Sequence, residues 1–159
     1  MIPTKVAATD FLEQQRIAVA GVSRTPGGSH GGNPVYTRLR ERGYEVFAIN
    51  PHAEEVEGDH AYPSLAAIPD GVDAVVIATA PNDADQVMQD CVDAGVTLVW
   101  LHRSIGGGSA SATATALGRD NGITVINGGC PLMYGEVSDF GHRVMGTVLR
   151  LTGVVPKQV

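Results

Sequence analysis

The chain has 159 residues, 43% of them hydrophobic, with 17 acidic against 11 basic side chains and a formal net charge of −6. That length suits one domain with its own core, and an acidic balance without a lysine or arginine run argues against nucleic acid or an anionic membrane surface as partner. No apolar stretch nears the roughly 20 residues of a membrane span, and no basic head with an apolar middle opens the chain, so a cytoplasmic location is expected.

Thr9 or Asp10 can cap a short segment running through Gln15. Ile17 to Val22 is a continuous small-apolar run suited to a parallel strand buried on both faces. Its exit, Gly21-Val22-Ser23-Arg24-Thr25-Pro26, leads into Gly27, Gly28, Gly31 and Gly32. Asn33-Pro34 then starts a helix that Gly43 closes, with Asn33 as cap and Val35, Leu39 and Arg42 on one face. A glycine-rich loop between a strand's end and a helix's start offers backbone donors and a favourable dipole to an anion, most often phosphate.

The second strand is Glu45 to Ile49, ending at Asn50-Pro51. His52 to His60 reads as acidic and irregular, Tyr62-Pro63 as extended, and Ser64 as the cap of a short helix from Leu65 to Ile68 before the Pro69-Asp70-Gly71 turn. Asp73 to Ala78 is a third buried strand whose exit is Thr79-Ala80-Pro81-Asn82-Asp83. The helix Asp83 to Ala94 carries an apolar stripe of Val87, Met88, Cys91 and Val92. Thr97 to Leu101 is strand four, Ser109 to Asn121 a helix, and Ile123 to Ile126 strand five. His102 to Gly108 and Asn127 to Leu132 are the loops that leave these strands. A last helix from about Ser138 to Leu151 sets Phe140, Val144, Val148 and Leu151 at helical spacing, read mainly as core and as a dimer surface where exposed.

Strands and helices alternating at this rhythm predict an α/β fold of Rossmann type, a doubly wound parallel sheet in three α/β/α layers and a single domain. Such sheets bind ligands outside the carboxyl ends of the strands. Gly21 to Gly32, Asn50-Pro51, Thr79 to Pro81, His102 to Gly108 and Asn127 to Pro131 all fall at those ends. A dinucleotide fingerprint fits poorly, because Ser23 occupies the second glycine position and Asn50-Pro51 stands where an acidic residue would hold the ribose hydroxyls. No Gly-Lys-Ser/Thr of a Walker loop follows the glycines. Cys91 and Cys130 do not make a disulfide framework, and His30, His52, His60, His102 and His142 lack paired ligand spacing, so no metal site is expected.

Several of these segments together resemble the stand-alone CoA-binding domain proteins: Gly21 to Pro26, Gly43-Tyr44-Glu45-Val46, Ile49-Asn50-Pro51, Gly58 with Tyr62-Pro63-Ser64-Leu65, Val72-Asp73-Ala74-Val75, and Asn127-Gly128-Gly129-Cys130-Pro131. The same domain is similar to the N-terminal part of the succinyl-CoA synthetase alpha subunit and of NDP-forming acyl-CoA synthetases. The resemblance runs from about Phe11 to Pro131 and implies a site for coenzyme A or an acyl-CoA. By position it implies that Gly21, Val22, Ser23, Arg24 and Thr25 hold phosphates and ribose, that Asn50 and Pro51 flank the adenosine end, and that Thr79, Ala80 and Pro81 follow the adenine or pantetheine path. His102, Arg103 and Cys130 complete the candidate set at the later strand ends.

Each candidate also has a structural reading. Arg24 is a bidentate phosphate partner or a solvated arginine, while Asn50 is first a strand-end turn residue. His102 and Arg103 contact an anion or acyl group, or cap their loop. Cys130, without a neighbouring histidine and followed by Pro131, reads as a turn residue before a nucleophile. His30 reads as exposed, and Cys91 as core. A bulky residue at Gly21 is expected to remove ligand binding and leave the fold intact. The sequence thus predicts a CoA-binding protein without catalysis of its own, acting as sensor, carrier or subunit of a catalytic partner protein, with a homodimer as a further expectation. An NAD(P)-dependent oxidoreductase or redox sensor, and a scaffold that has lost nucleotide binding, are the competing readings.

Overall fold

A computed structural model describes residues 1–25, 31–103 and 108–159. The expectations that fall on Pro26, Gly27, Gly28 and His30, and on Ser104 to Gly107, lie outside the described residues. The strands are β1 (Arg16–Ala20), β2 (Glu45–Ile49), β3 (Glu55–Val56), β4 (Asp59–Tyr62), β5 (Ala74–Ile77), β6 (Leu98–Leu101) and β7 (Thr124–Asn127), in the sheet order β3-β4-β2-β1-β5-β6-β7. The helices are α1 (Thr4–Leu12), α2 (Gly32–Glu41), α3 (Pro81–Asp93), α4 (Ala112–Asp120) and α5 (Phe140–Leu151). β1 pairs in parallel with β2 on one side and β5 on the other, so the chain reverses its direction across the sheet at β1, as a doubly wound fold requires.

Strand side chains alternate between two cores. Ile17, Val19, Ala74, Val76, Trp100 and Ile126 face one side, where α1, α2 and Leu149 of α5 pack on them. Ala18, Ala20, Val75, Ile77, Val99 and Val125 face the other, under Ala84, Met88 and Cys91 of α3 and Ala114 of α4. Small residues on the strands bring both helix layers close to the sheet. Trp100 is fully buried, stacks edge-on against Phe11 and Tyr134 at 5.4 Å, and donates its indole N–H to the Gly128 carbonyl at 3.0 Å.

Several local expectations are corrected. The first helix runs Thr4–Leu12, so Thr9 and Asp10 lie inside it, where no side-chain cap marks its start at Pro3. The stretch His52 to His60 holds the β3–β4 hairpin, turned by Glu57 and Gly58 with φ of +50° and +81° and added to the sheet by β4 running parallel to β2. Glu55–Val56 and Asp59–Tyr62 hold no apolar run and too little alternation to be read as strands in sequence. The hairpin is anchored from α2, where Tyr36 donates to Asp59 at 2.8 Å and Arg40 pairs with the same carboxylate at 2.5 Å. Tyr36, not Arg42, thus completes the buried face of α2 with Val35 and Leu39. Ser64 makes no capping hydrogen bond, α3 starts already at Pro81, and α4 starts at Ala112 with Ser111 as its cap. On α5 only Gly146 and Leu149 are buried, while Phe140 and Leu151 are exposed by 83% and 84% and Val144 and Val148 by about half. That stripe faces outward rather than into the core.

The expectation that a bulky residue at Gly21 leaves the fold intact is also corrected. The φ of +94° at Gly21 suits glycine, and a Cβ there would meet the Ala78 carbonyl oxygen at 2.4 Å and carbon at 2.6 Å. The missing side chain lets two strand exits touch, which is a demand of the fold itself. Gly21→Ala is therefore expected to lower unfolding free energy by at least ~2 kcal/mol, combining left-handed strain with main-chain overlap. Urea denaturation of the variant against wild type measures it.

Candidate functional site

The exits of β1, β2 and β5 lie side by side, and two asparagines fix them. Asn50 donates from Nδ2 to the Val22 carbonyl at 2.9 Å and accepts the His52 N–H at 2.8 Å, so it closes its own turn and ties β2's exit to β1's. Asn33 is buried in the first turn of α2, not at its cap, which is Gly31. Its Oδ1 accepts the Ser23 N–H at 2.8 Å, while Nδ2 donates to the Ser23 carbonyl at 3.0 Å and to Glu57 at 2.7 Å. The described end of the glycine loop is thus held by a buried amide. Gly32, whose Cβ would sit 3.1 Å from Gly21, brings the start of α2 directly against the end of β1.

These exits surround a groove of about 530 Å³ on the face that carries α3. Ala20 and Ile49 line it with small apolar surface from the strands; Gly21, Val22, Ser23, Asn50, Pro51 and Thr79 contribute from the exits. One wall is the short 3₁₀ turn around Leu65, and the other is α3, through Asn82, Asp83, Gln86, Val87 and Asp90. Among the described residues, the lining holds two carboxylates and no lysine or arginine. The lining is mostly apolar with a few polar groups on the rim, the composition of a small-molecule site.

The sequence-predicted residues divide by place. Gly21, Val22, Ser23, Asn50, Pro51 and Thr79 line the groove, and Arg24 and Thr25 follow Ser23 as exposed residues. Ala80 and Pro81 are exposed at the amino end of α3 beside it. His102, Arg103 and Cys130 do not line it. His102 is 6% exposed and sits between strands, its N–H donating to the Ile77 carbonyl at 2.8 Å. Arg103 donates its backbone N–H to Gly129 at 2.8 Å and so joins the exits of β6 and β7. Cys130 belongs to the core beneath α1 and α2, and burial pushes its thiol up to about 12, so at neutral pH it is not a thiolate. Nearby, Asp139 caps α5 by accepting the His142 N–H at 2.8 Å, contacts the His142 ring and Arg38, and is held below the usual carboxylate range by those bonds.

The α3 wall and His52, Pro63, Ser64 and Leu65 were not among the predicted site residues. The signal available was the spacing of Asp83, Gln86, Val87 and Asp90, which places them on one helical face beside the stripe that packs on the sheet.

Residues 15–136 match the CoA binding domain family. The chain belongs to that family. Among the relatives of this CoA binding domain, the ADP-forming acetate–CoA ligase II of Archaeoglobus fulgidus is 34% identical over 89 residues, covering 55% of the present chain and 13% of the ligase. The alpha subunit of the ADP-forming acetate–CoA ligase II of Pyrococcus furiosus is 34% identical over 87 residues, covering 54% and 19%. The domain thus spans less than a fifth of either ligase chain. Among solved structures, a hypothetical protein from Pyrococcus horikoshii superposes with a TM-score of 0.69 at 25% identity, covering 78% of this chain and 83% of that one.

His102 gives the domain an acid sensitivity. Burial, and then the charge of His142, lower its pKa from the usual 6.5 to about 4, so it is neutral in the folded protein. The unfolded chain takes up a proton at this residue below about pH 6.5 and the folded protein only below about 4, so acid in that window favours unfolding. Lowering the pH from 7 to 4.5 is expected to remove about 2–3 kcal/mol through His102. Urea unfolding at the two pH values measures this, and His102→Gln should lose less between them than wild type.

Proposed function

We propose that this CoA binding domain holds coenzyme A or an acyl-CoA in the groove at the exits of β1, β2 and β5, as a binding protein, sensor or subunit of a catalytic partner rather than as an enzyme on its own. The observation that carries the reading is the coincidence of two independent patterns. The motif residues that resemble the family at Gly21 to Ser23, Asn50-Pro51 and Thr79 converge on one groove at the reversal point of the sheet. The phosphates lie toward Ser23, Arg24 and Thr25, beside the start of α2, where helix-end donors and one exposed guanidinium favour negative charge.

Two features support a binding rather than a catalytic role. Cys130, the thiol nearest the strand exits, is buried with its pKa raised, and His102 is enclosed and neutral; neither lines the groove. A role as subunit fits a family in which the same domain recurs as a small part of ADP-forming ligases. Against a nicotinamide dinucleotide stands the end of β2, where Asn50 occupies the place of the ribose-binding acidic residue and spends both side-chain groups on backbone.

Calorimetric titration with CoA, acetyl-CoA and NADH, on wild type and Ser23→Trp, tests the reading. Ser23 is exposed on the groove rim, so tryptophan there fills ligand space without entering the core. CoA is expected to bind wild type in preference to NADH, with affinity reduced at least about tenfold in Ser23→Trp at unchanged melting temperature. Preference for NADH, or equal CoA affinity in the two proteins, would overturn it.

A further inference from the structure

The α3 wall of the groove carries a carboxylate that a neighbouring amide holds in place. Gln86 donates its amide N–H to Asp90 Oδ1 at 3.0 Å, one helical turn on. That bond uses one of the two amide N–H groups of Gln86 and holds the Asp90 carboxylate in place, with the second carboxylate oxygen left as an acceptor toward the groove. Between these residues Val87 lines the α3 wall, Leu65 lines the opposite wall, and Ala20 and Ile49 supply further small apolar lining. Flat apolar walls with an acceptor edge suit a heteroaromatic base that carries an amino group.

The same wall disfavours phosphate. Asp83 and Asp90 are the charged α3 residues of the lining, and among the described residues no lysine or arginine lines the groove. The amino end of α3 offers few donors to an anion: Pro81 has no N–H, and the N–H groups of Asp83 and Ala84 both donate to the Ala80 carbonyl, at 3.0 and 3.1 Å. The diphosphate is thereby directed to the Ser23 end and the base to the α3 end.

We propose that Asp90, held by Gln86, is a specificity-determining residue that reads the 6-amino group of the adenine base and rejects a 6-keto purine. The inference rests on the groove being the CoA site. An amino group donates to the carboxylate, whereas a keto oxygen would face it lone pair to lone pair, and a site that accepts a hydrogen bond from its ligand rejects the analogue that has no donor to give.

The test is calorimetric titration with CoA and with its deaminated form, in which a keto oxygen replaces the 6-amino group, on wild type, Asp90→Asn and Asp93→Asn. Asp93 accepts from Gln89 at 2.8 Å in the same i, i+4 arrangement but does not line the groove, so it controls for the loss of a helix-surface charge. Wild type and Asp93→Asn are expected to prefer CoA at least about fivefold. Asp90→Asn, whose amide can turn a donor toward the keto oxygen, is expected to bring the two ligands within about twofold. Wild-type discrimination below fivefold, a ratio retained in Asp90→Asn, or an equal loss in Asp93→Asn overturns the inference while leaving the groove as the CoA site. Failure of wild type to bind CoA at all overturns the site reading itself.

Discussion

The near-contact of two strand exits, made where Gly21 lacks a side chain, is the constraint on which the rest of the site depends. β1 and β5 end side by side at one end of the sheet, and the chain then turns to opposite faces, to α2 after β1 and to α3 after β5. With main-chain atoms of Ala78 and Thr79 filling the space a Cβ would need, the two exits close to the shortest distance a backbone allows. Gly32 then seats the start of α2 on Gly21. Loss of that packing would disturb the exits of β1 and β5 and the start of α2 together, so a change at this one residue reaches the whole floor of the groove.

Buried amides take over where the glycines stop. Asn33 reaches from α2 to both backbone groups of Ser23, and to Glu57 in the β3–β4 turn, so one side chain spans the loop, the helix and the hairpin. Asn50 does the same between β2 and β1. Amides suit this work because each offers a donor and an acceptor without a charge to desolvate. The site therefore has a rigid frame on the β1–β2 side and takes its chemical character from the α3 side, where the exposed carboxylates are.

The sheet and its reversal were legible in the sequence because buried parallel strands write themselves as short apolar runs and their exits as glycine, proline and asparagine. Ile17 to Val22, Asp73 to Ala78 and Thr97 to Leu101 needed nothing more. The groove was half legible: the exits are local motifs, whereas the α3 wall is assembled by packing, and nothing in Gln86 or Asp90 alone distinguishes them from any solvated helix face. Asn33 was assigned the right element and the wrong task, since a helix-start asparagine reads as a cap until the Ser23 backbone is seen beside it. Cys130 and His102 sit near strand ends as expected, yet their burial places them in the structural frame. The α5 stripe was misread for a related reason, because helical spacing of apolar residues reports that a face exists and not which way it turns.

The central claim is that one groove, framed by Gly21 and walled by α3, is the ligand site. Mapping amide chemical-shift changes on ¹⁵N-labelled protein during titration with CoA tests it most directly. The account predicts changes centred on the amides of Gly21, Val22, Ser23, Asn50, Thr79 and Gln86, with those of α5 little moved. Changes centred on Cys130, His142 or the exposed face of α5, with the groove amides silent, would contradict it.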